Sequence, residues 1–210
     1  MSLPPDGLAA LQTVLHPLHT PPESEPWNLA ELADLLPPAP LADAAVLVGL
    51  VPRAQGTQLL LTRRHAGMRQ HAGQIAFPGG RLDADDAGPV AAALRETQEE
   101  VGIAAELIRP LGFLDPYATI TGFRVLPVVA VLDPAHVTRL QPEEVDEAFE
   151  VPLAFLLDPA SSVRIGAEFR GRLRHYWQFE FGGHRIWGAT AAMLLNLRAF
   201  VARIPPPVDA

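Results

Sequence analysis

The sequence lacks cysteine and any long apolar run, and each of these two absences excludes a class of structure or function. None of its 210 residues is cysteine, so disulfides, thiolate metal sites and cysteine nucleophiles are excluded. The longest apolar run, Ala44 to Val51, is far shorter than the roughly 20 residues that a membrane-spanning helix needs. The first residues also lack the basic segment and apolar run of a signal peptide. We therefore expect a cytoplasmic protein without a membrane partner.

The charge distribution excludes a second class of partner. The net charge is −8, all 16 basic residues are arginine, and no basic run occurs. Binding to a nucleic acid polymer would require such a basic surface. Because 49% of the residues are hydrophobic, the chain can build the core of one domain with additions.

Three glutamates within one predicted helix are the strongest chemical signal. Glu96, Glu99 and Glu100 are spaced i, i+3 and i+4, so a helix places them on one face. The apolar stripe of the same helix lies roughly 135° away at about 100° per residue. The residues of that stripe are Val90, Leu94, Thr97 and Val101. One face is thus predicted to pack in the core while three carboxylates point together elsewhere.

Carboxylates at this spacing repel one another, which implies a cation beside them. Arg95 can reach Glu99 at i+4, but one guanidinium does not neutralise three carboxylates. Mg²⁺ or Mn²⁺, which prefer oxygen ligands beside substrate phosphates, suit this face. The alternative is a solvated acidic helix face. The preceding Phe77-Pro78-Gly79-Gly80 segment favours the metal, because a tight glycine turn exposes backbone polar groups.

These residues resemble the Nudix box: glycine, five residues, an acid, a spacer and then R-E-U-x-E-E-x-G-U. Gly80, Asp86 and the run from Arg95 to Ile103 occupy these positions. Asp86 replaces the usual glutamate, the spacer before Arg95 is one residue longer than usual, and Thr97 replaces an aliphatic residue. The first two departures look like the coenzyme A pyrophosphatase branch.

An upstream signature of that branch, L-L-T-x-R-(S/A)-x3-R-x3-G-x3-F-P-G-G, is matched in register. His65 stands at its Ser/Ala position. The matching residues are Leu60, Leu61, Thr62, Arg64, Arg69, Gly73, Phe77, Pro78, Gly79 and Gly80. The two motifs overlap and cover about a fifth of the chain.

The resemblance implies an α/β/α sandwich with a mixed β-sheet between helices. It also implies metal-dependent hydrolysis of coenzyme A and its thioesters to 4′-phosphopantetheine, or its acyl form, and adenosine 3′,5′-bisphosphate. Metal ligands would be Glu96, Glu99, Glu100 and the Gly79 backbone, and Arg95 would orient a glutamate. The implied substrate-binding residues are Arg64, Arg69, Gly73, Phe77, Gly79 and Gly80.

Two questions stay open from the sequence. The general base is a box glutamate or an acid of a late loop, Glu143 or Glu144, and the same two residues also suit a solvated helix start. The substrate is alternatively another diphosphate, such as ADP-ribose or a dinucleotide. A Nudix-fold binding module without turnover is disfavoured, because it has no need for mutually repelling acids.

The hydrophobic pattern predicts how the chain is organised. We expect residues 1–41 to form a helical N-terminal extension and residues 42–205 to form the Nudix domain that the resemblance implies; a homodimer is possible. Helices are predicted over residues 88–101 and 189–201, the second with Ala192, Leu195 and Ala199 inward. Strands are predicted over residues 44–51, 58–62, 74–77, 107–114 and 123–132. Residues 175–187 are predicted to form a hairpin whose aromatic side chains face the core.

Overall fold

A computed structural model describes residues 7–68 and 71–205. Its first sheet has eight strands, and β1 (Ala42–Val51) lies at the centre, parallel to β7 (Phe123–Leu132) and antiparallel to β2 (Gln58–Arg64). The remaining strands of this sheet are β3 (Ile75–Ala76), β4 (Gly79–Arg81), β5 (Ile108–Phe113), β6 (Tyr117–Ala118) and β8 (Val145–Pro152). Continuous apolar sequence in β1 and β7 suits strands that are covered on both faces.

Helices cover the two faces of this sheet. Helix α3 (Pro89–Val101) packs on one face over β1, where Ala45 and Leu47 share a core cluster with Ala93. On the other face, Val48 and Leu50 join a larger cluster with the C-terminal helix α5 (Gly188–Val201). The shorter helices are α1 (Gly7–Val14), α2 (Leu29–Leu32) and α4 (Leu153–Leu157). The predicted α/β/α sandwich with a mixed sheet is confirmed.

A second, three-stranded sheet follows the first. Strands β9 (Ser162–Phe169), β10 (Arg172–Phe181) and β11 (His184–Trp187) are antiparallel, with β10 in the middle and β9 at one edge. The hairpin between β10 and β11 agrees with the prediction, but the aromatic face enters the core at Phe179 while Trp177 stays exposed. The core interpretation of this hairpin was therefore wrong for its outer half.

Two other sequence predictions need correction. The Gly79-Gly80 segment was expected to be a turn, but it forms β4 and pairs with Ala44–Val46 of β1. In α5 the inward face was misjudged: Ala199 is exposed, whereas Leu194 and Leu197 are buried. The predicted strand over residues 123–132 is observed as β7, and its residues 123–131 pair with β1 without a break at Pro127.

The N-terminal segment packs against the body. Leu11 and Leu15 belong to the larger core cluster, and His16 forms a backbone bridge with Phe113 of β5. The apolar spacing from Leu8 to Leu18 predicts a longer helix, but α1 ends at Val14 because the chain leaves the helix there to form this bridge. Across residues 7–68 and 71–205, every helix is too short or too polar to cross a lipid bilayer.

Candidate active site

Helix α3 begins and ends where its sequence dictates. Pro89 occupies its first turn, where a missing N–H costs nothing. Gly102 follows its last residue in a left-handed conformation (φ 70°), and its N–H donates to Gln98 O at 3.0 Å. A left-handed residue at this position ends helices and favours glycine. These two ends fix the length of the helix, and its buried residues, among them Ala93 and Val101, show which face meets the sheet.

Glu100 lies between the helix and the sheet, with 3% of its side chain exposed. The Gly79 N–H donates to Glu100 Oε2 at 3.2 Å, and Arg64 Nη1 is 3.6 Å from Glu100 Oε1. Burial raises the pKa of Glu100 to about 7, although Arg64 and the Gly79 N–H partly offset it. The expectation that all three glutamates share a face away from the core was therefore wrong for Glu100.

Glu96 rests directly on the backbone of Gly80. A Cβ atom on Gly80 would lie 2.5 Å from Glu96 Oε1, so any side chain there would displace the carboxylate. At Gly79, where φ is +149°, a Cβ atom would lie 2.4 Å from Ala45 O of β1. The two glycines thus bring β4 close to β1 on one side and to the helix acids on the other. Burial raises the pKa of Glu96, and hydrogen bonds from Arg95 oppose this effect.

Arg95 connects the acids of this region. Its Nε and Nη2 donate to the two carboxylate oxygens of Asp86 at 3.1 and 2.9 Å. Its Nη1 donates to Glu96 Oε1 at 3.0 Å and to Glu99 Oε2 at 3.1 Å. Hydrogen bonds from Arg95 lower the pKa of Asp86. The i+4 contact with Glu99 was predicted, whereas the pairing with Asp86 was not, because it depends on how residues 82–88 fold back.

The late acidic loop reaches the same site. Glu144 lies near enough to raise the pKa values of both Glu96 and Glu100 by charge repulsion. The backbone holds it there: Gln141 N–H donates to Glu100 O at 2.9 Å, and Glu144 N–H donates to Gln141 O at 3.0 Å. Glu143 is not brought to these carboxylates by any interaction in the described part of the chain. Neither residue starts a helix, since β8 begins at Val145.

The upstream signature folds onto this site through β2 and β3. Arg64 N–H donates to Gln74 O at 3.0 Å, and Gly73 N–H donates to Arg64 O at 3.1 Å, so the loop between the strands is closed at its base. Phe77 is buried in the larger core cluster, so its predicted contact with substrate would have to be indirect. Arg69 lies outside the described residues.

One contact in this region could not be read from the sequence motifs. His65 Nδ1 lies 2.5 Å from Asp146 Oδ1, and Ala66 N–H donates to Asp146 Oδ2 at 3.1 Å. His65 N–H also donates to Glu144 O at 2.8 Å. The loop of the upstream signature is thereby joined to the loop that carries Glu144. The only sequence signal was histidine at the Ser/Ala position of the signature.

The donor set suits a hard divalent cation. Two guanidinium groups lie against the carboxylates of Glu96, Glu99 and Glu100. Glu144 adds a fourth negative charge close by, and the pKa values of Glu96 and Glu100 are raised. A bound cation would remove that repulsion and favour the ionised carboxylates. Within residues 7–68 and 71–205, no group of three acids or histidines is already arranged to coordinate a metal ion. Arg95 instead donates hydrogen bonds to Glu96 and Glu99.

Comparison with known proteins agrees with this geometry. Residues 43–167 match the family model of the NUDIX domain. The chain belongs to the Nudix hydrolase family. Over 154 residues it is 42% identical to the uncharacterized Nudix hydrolase NudL of Salmonella paratyphi B, covering 73% of this chain and 80% of that protein. The NudL protein of Salmonella newport matches to the same extent.

Solved structures share the fold. A Nudix hydrolase from M. smegmatis, RenU, superposes with a TM-score of 0.54 at 23% identity, covering 81% of this chain and 92% of that one. DR0079 from Deinococcus radiodurans gives a TM-score of 0.50 at 17% identity, covering 77% and 87%. Membership of the family supports a pyrophosphohydrolase that acts on a nucleoside diphosphate derivative. Nudix hydrolases generally use divalent metal ions.

Proposed function

We propose that this Nudix hydrolase cleaves the diphosphate of coenzyme A and its thioesters, with Mg²⁺ or Mn²⁺ as cofactor. The observation that carries the proposal is the 3.6 Å approach of Arg64 to Glu100. It joins the upstream signature, which resembles the coenzyme A branch, to the acids of the Nudix box in one site. The products are 4′-phosphopantetheine, or its acyl form, and adenosine 3′,5′-bisphosphate, and the reaction belongs to the cytoplasm.

Glu96, Glu99 and Glu100, with backbone oxygen from Gly79, would hold the metal ions. A divalent ion held there would supply positive charge to the diphosphate and lower the pKa of a water molecule bound to it. Arg95 keeps Glu96 and Glu99 in place by its hydrogen bonds to both. Because Gly80 has no side chain, the Glu96 carboxylate can lie against the β4 backbone.

The remaining residues bind substrate and move a proton. Arg64 Nη1 lies 3.6 Å from Glu100 Oε1, so its guanidinium is close enough to the acids to donate to a diphosphate oxygen held beside them. Glu144, beside Glu96 and Glu100, accepts the proton of the attacking water. The water oxygen bonds to one phosphorus, the P–O–P bond breaks, and the other phosphate leaves.

A panel of diphosphates tests the proposal. Coenzyme A, acetyl-coenzyme A, dephospho-coenzyme A, ADP-ribose and a dinucleotide are incubated with the protein and Mg²⁺, and products are identified by mass. We expect the highest kcat/KM with coenzyme A or its thioester. The Glu100→Gln variant, which loses a proposed metal ligand, controls for contaminating hydrolases. A higher kcat/KM with ADP-ribose or the dinucleotide would assign the enzyme to the alternative substrate class.

A further inference from the structure

The outer edge of β9 has no pairing partner in the described part of the chain. Strand β9 pairs only with β10 in the three-stranded sheet, and no other described element packs extensively along it. Two large apolar side chains on it are exposed, Val163 by 50% and Phe169 by 42%. An exposed edge with apolar side chains is a template for pairing with another strand.

The hairpin turn determines which backbone groups face that edge. Arg170 and Gly171 form a two-residue turn with positive φ angles of 51° and 74°, closed by the pair Phe169 and Arg172. In such a hairpin the closing pair is hydrogen-bonded, and bonded and non-bonded pairs then alternate along the ladder. The odd-numbered residues of β9 therefore bond to β10. The N–H and C=O groups of residues 162, 164, 166 and 168 point to the open edge.

We infer that two copies of this chain associate through antiparallel pairing of β9 with β9, with Gly166 on the two-fold axis. In this register Arg164 stands opposite Glu168 of the second copy, and the reverse pair forms symmetrically. Val163 stands opposite Phe169 of the second copy, so both exposed apolar side chains are covered. Opposite charges and apolar pairs directly across strands stabilise a sheet. The two three-stranded sheets become one six-stranded sheet.

The pattern of side chains selects this register over its neighbours. Only pairings that place even-numbered residues opposite even-numbered ones align the free backbone groups. Moving the register by one such step in either direction places Arg164 opposite Gly166 or opposite Arg170 of the second copy. Neither alternative gives Arg164 an acidic partner, and the second brings two cations together. Charge complementarity therefore favours the two-fold pairing centred on Gly166.

Charge reversal tests the register. We expect the wild-type protein to dimerise in sedimentation experiments. The concentration series must reach the high micromolar range, because one strand pair is a small interface and the association is therefore weak. Glu168→Arg and Arg164→Glu should each be monomeric, since each brings two like-charged pairs together. An equimolar mixture of the two variants should form a heterodimer, because each copy then supplies the charge that its partner needs. A monomeric wild-type protein, or single variants that dimerise like it, would overturn the inference.

The absence of cysteine allows a second test that does not depend on charge. Opposite Cα atoms in a hydrogen-bonded antiparallel pair are about 5.5 Å apart, within the range that a disulfide spans. Gly166→Cys should therefore give a covalent dimer under mild oxidation. In the same register two copies of residue 163 lie about 20 Å apart, at roughly 3.4 Å per residue, so Val163→Cys is the matched control. Equal cross-linking of both variants would contradict the two-fold position of Gly166. Circular dichroism and turnover verify that each variant is folded.

Discussion

Replacing Glu100 by glutamine is expected to stabilise the metal-free protein at pH values above 7. The folded protein raises the pKa of Glu100 from 4.5 to about 7, mainly through burial. At about 1.36 kcal/mol per pKa unit, ionised Glu100 then costs about 3 kcal/mol of folding free energy relative to the unfolded chain. Glutamine cannot ionise, so the variant escapes this cost, while its amide oxygen can still accept from the Gly79 N–H.

The raised pKa of Glu100 also determines how the stability difference between the two proteins changes with pH. Between pH 4.5 and about 7 the folded protein binds this proton more tightly than the unfolded chain does. Wild-type stability should therefore contain a component that falls as pH rises through this window and stays constant above it. At about pH 5 the two proteins should differ by less than about 1 kcal/mol. At about pH 8 the variant should be more stable by about 3 kcal/mol.

Urea unfolding in the presence of a chelator, followed by tryptophan fluorescence, measures this difference. Glu99→Gln is the matched control, because the Glu99 side chain is 56% exposed and its replacement should change stability by only about 0.5 kcal/mol or less. Added Mg²⁺ should then stabilise the wild-type protein more than Glu100→Gln, because binding to the folded state shifts its unfolding. If Glu100→Gln is no more stable than wild type at about pH 8 without metal, burial of a destabilising charge is the wrong account.

The remaining predictions concern catalysis. Gly80→Ala should lower kcat by at least about tenfold at nearly unchanged substrate affinity, because its Cβ would lie 2.5 Å from Glu96 Oε1; steady-state kinetics that match wild type would contradict this packing. Arg69→Ala should lower kcat/KM for coenzyme A by roughly 10- to 150-fold and spare dephospho-coenzyme A, if Arg69 reads the 3′-phosphate. Arg64→Ala should lower kcat/KM for both substrates, since Arg64 lies beside the Nudix-box acids. If Arg69→Ala also lowers kcat/KM equally for coenzyme A and dephospho-coenzyme A, Arg69 does not bind the 3′-phosphate. Hydrolysis in ¹⁸O-water should label one product per turnover by mass spectrometry, and a trapped phosphoryl-protein adduct would refute direct attack by water.

The helix and central strands were predictable because their signals are local. Pro89 and Gly102 mark the ends of α3 within the sequence itself, and the apolar run beginning at Ala44 marks β1. The helical wheel failed at Glu100 because its burial depends on Arg64 and the Gly79 N–H, which come from other elements. Periodicity cannot predict that a polar residue will find such partners in the core.

The missed strand β4 has a similar cause. Two adjacent glycines usually indicate a turn, but here they permit a backbone approach that any side chain would block. A Cβ atom on Gly79 would lie 2.4 Å from Ala45 O. The sequence pattern also missed strand β9. It predicted that Trp177 is buried, but Trp177 is exposed because β10 extends beyond the helices that cover its inner end at Phe179. Alternation along a strand reveals a face but not how far the core extends beneath it.

Backbone hydrogen bonds between the C-terminal end of α3 and residues 139–141, which follow β7, limit how segments of this enzyme can be exchanged with those of its relatives. Arg139 N–H donates to Val101 O at 2.7 Å and Gln141 N–H to Glu100 O at 2.9 Å, and a side chain on Gly102 would strike Arg139. Glu144 thus takes its position from the end of the helix that carries the Nudix box. A chimaera that imports a foreign acidic loop without residues 139–141 would lose that alignment. The transferable unit is the loop together with its helix end.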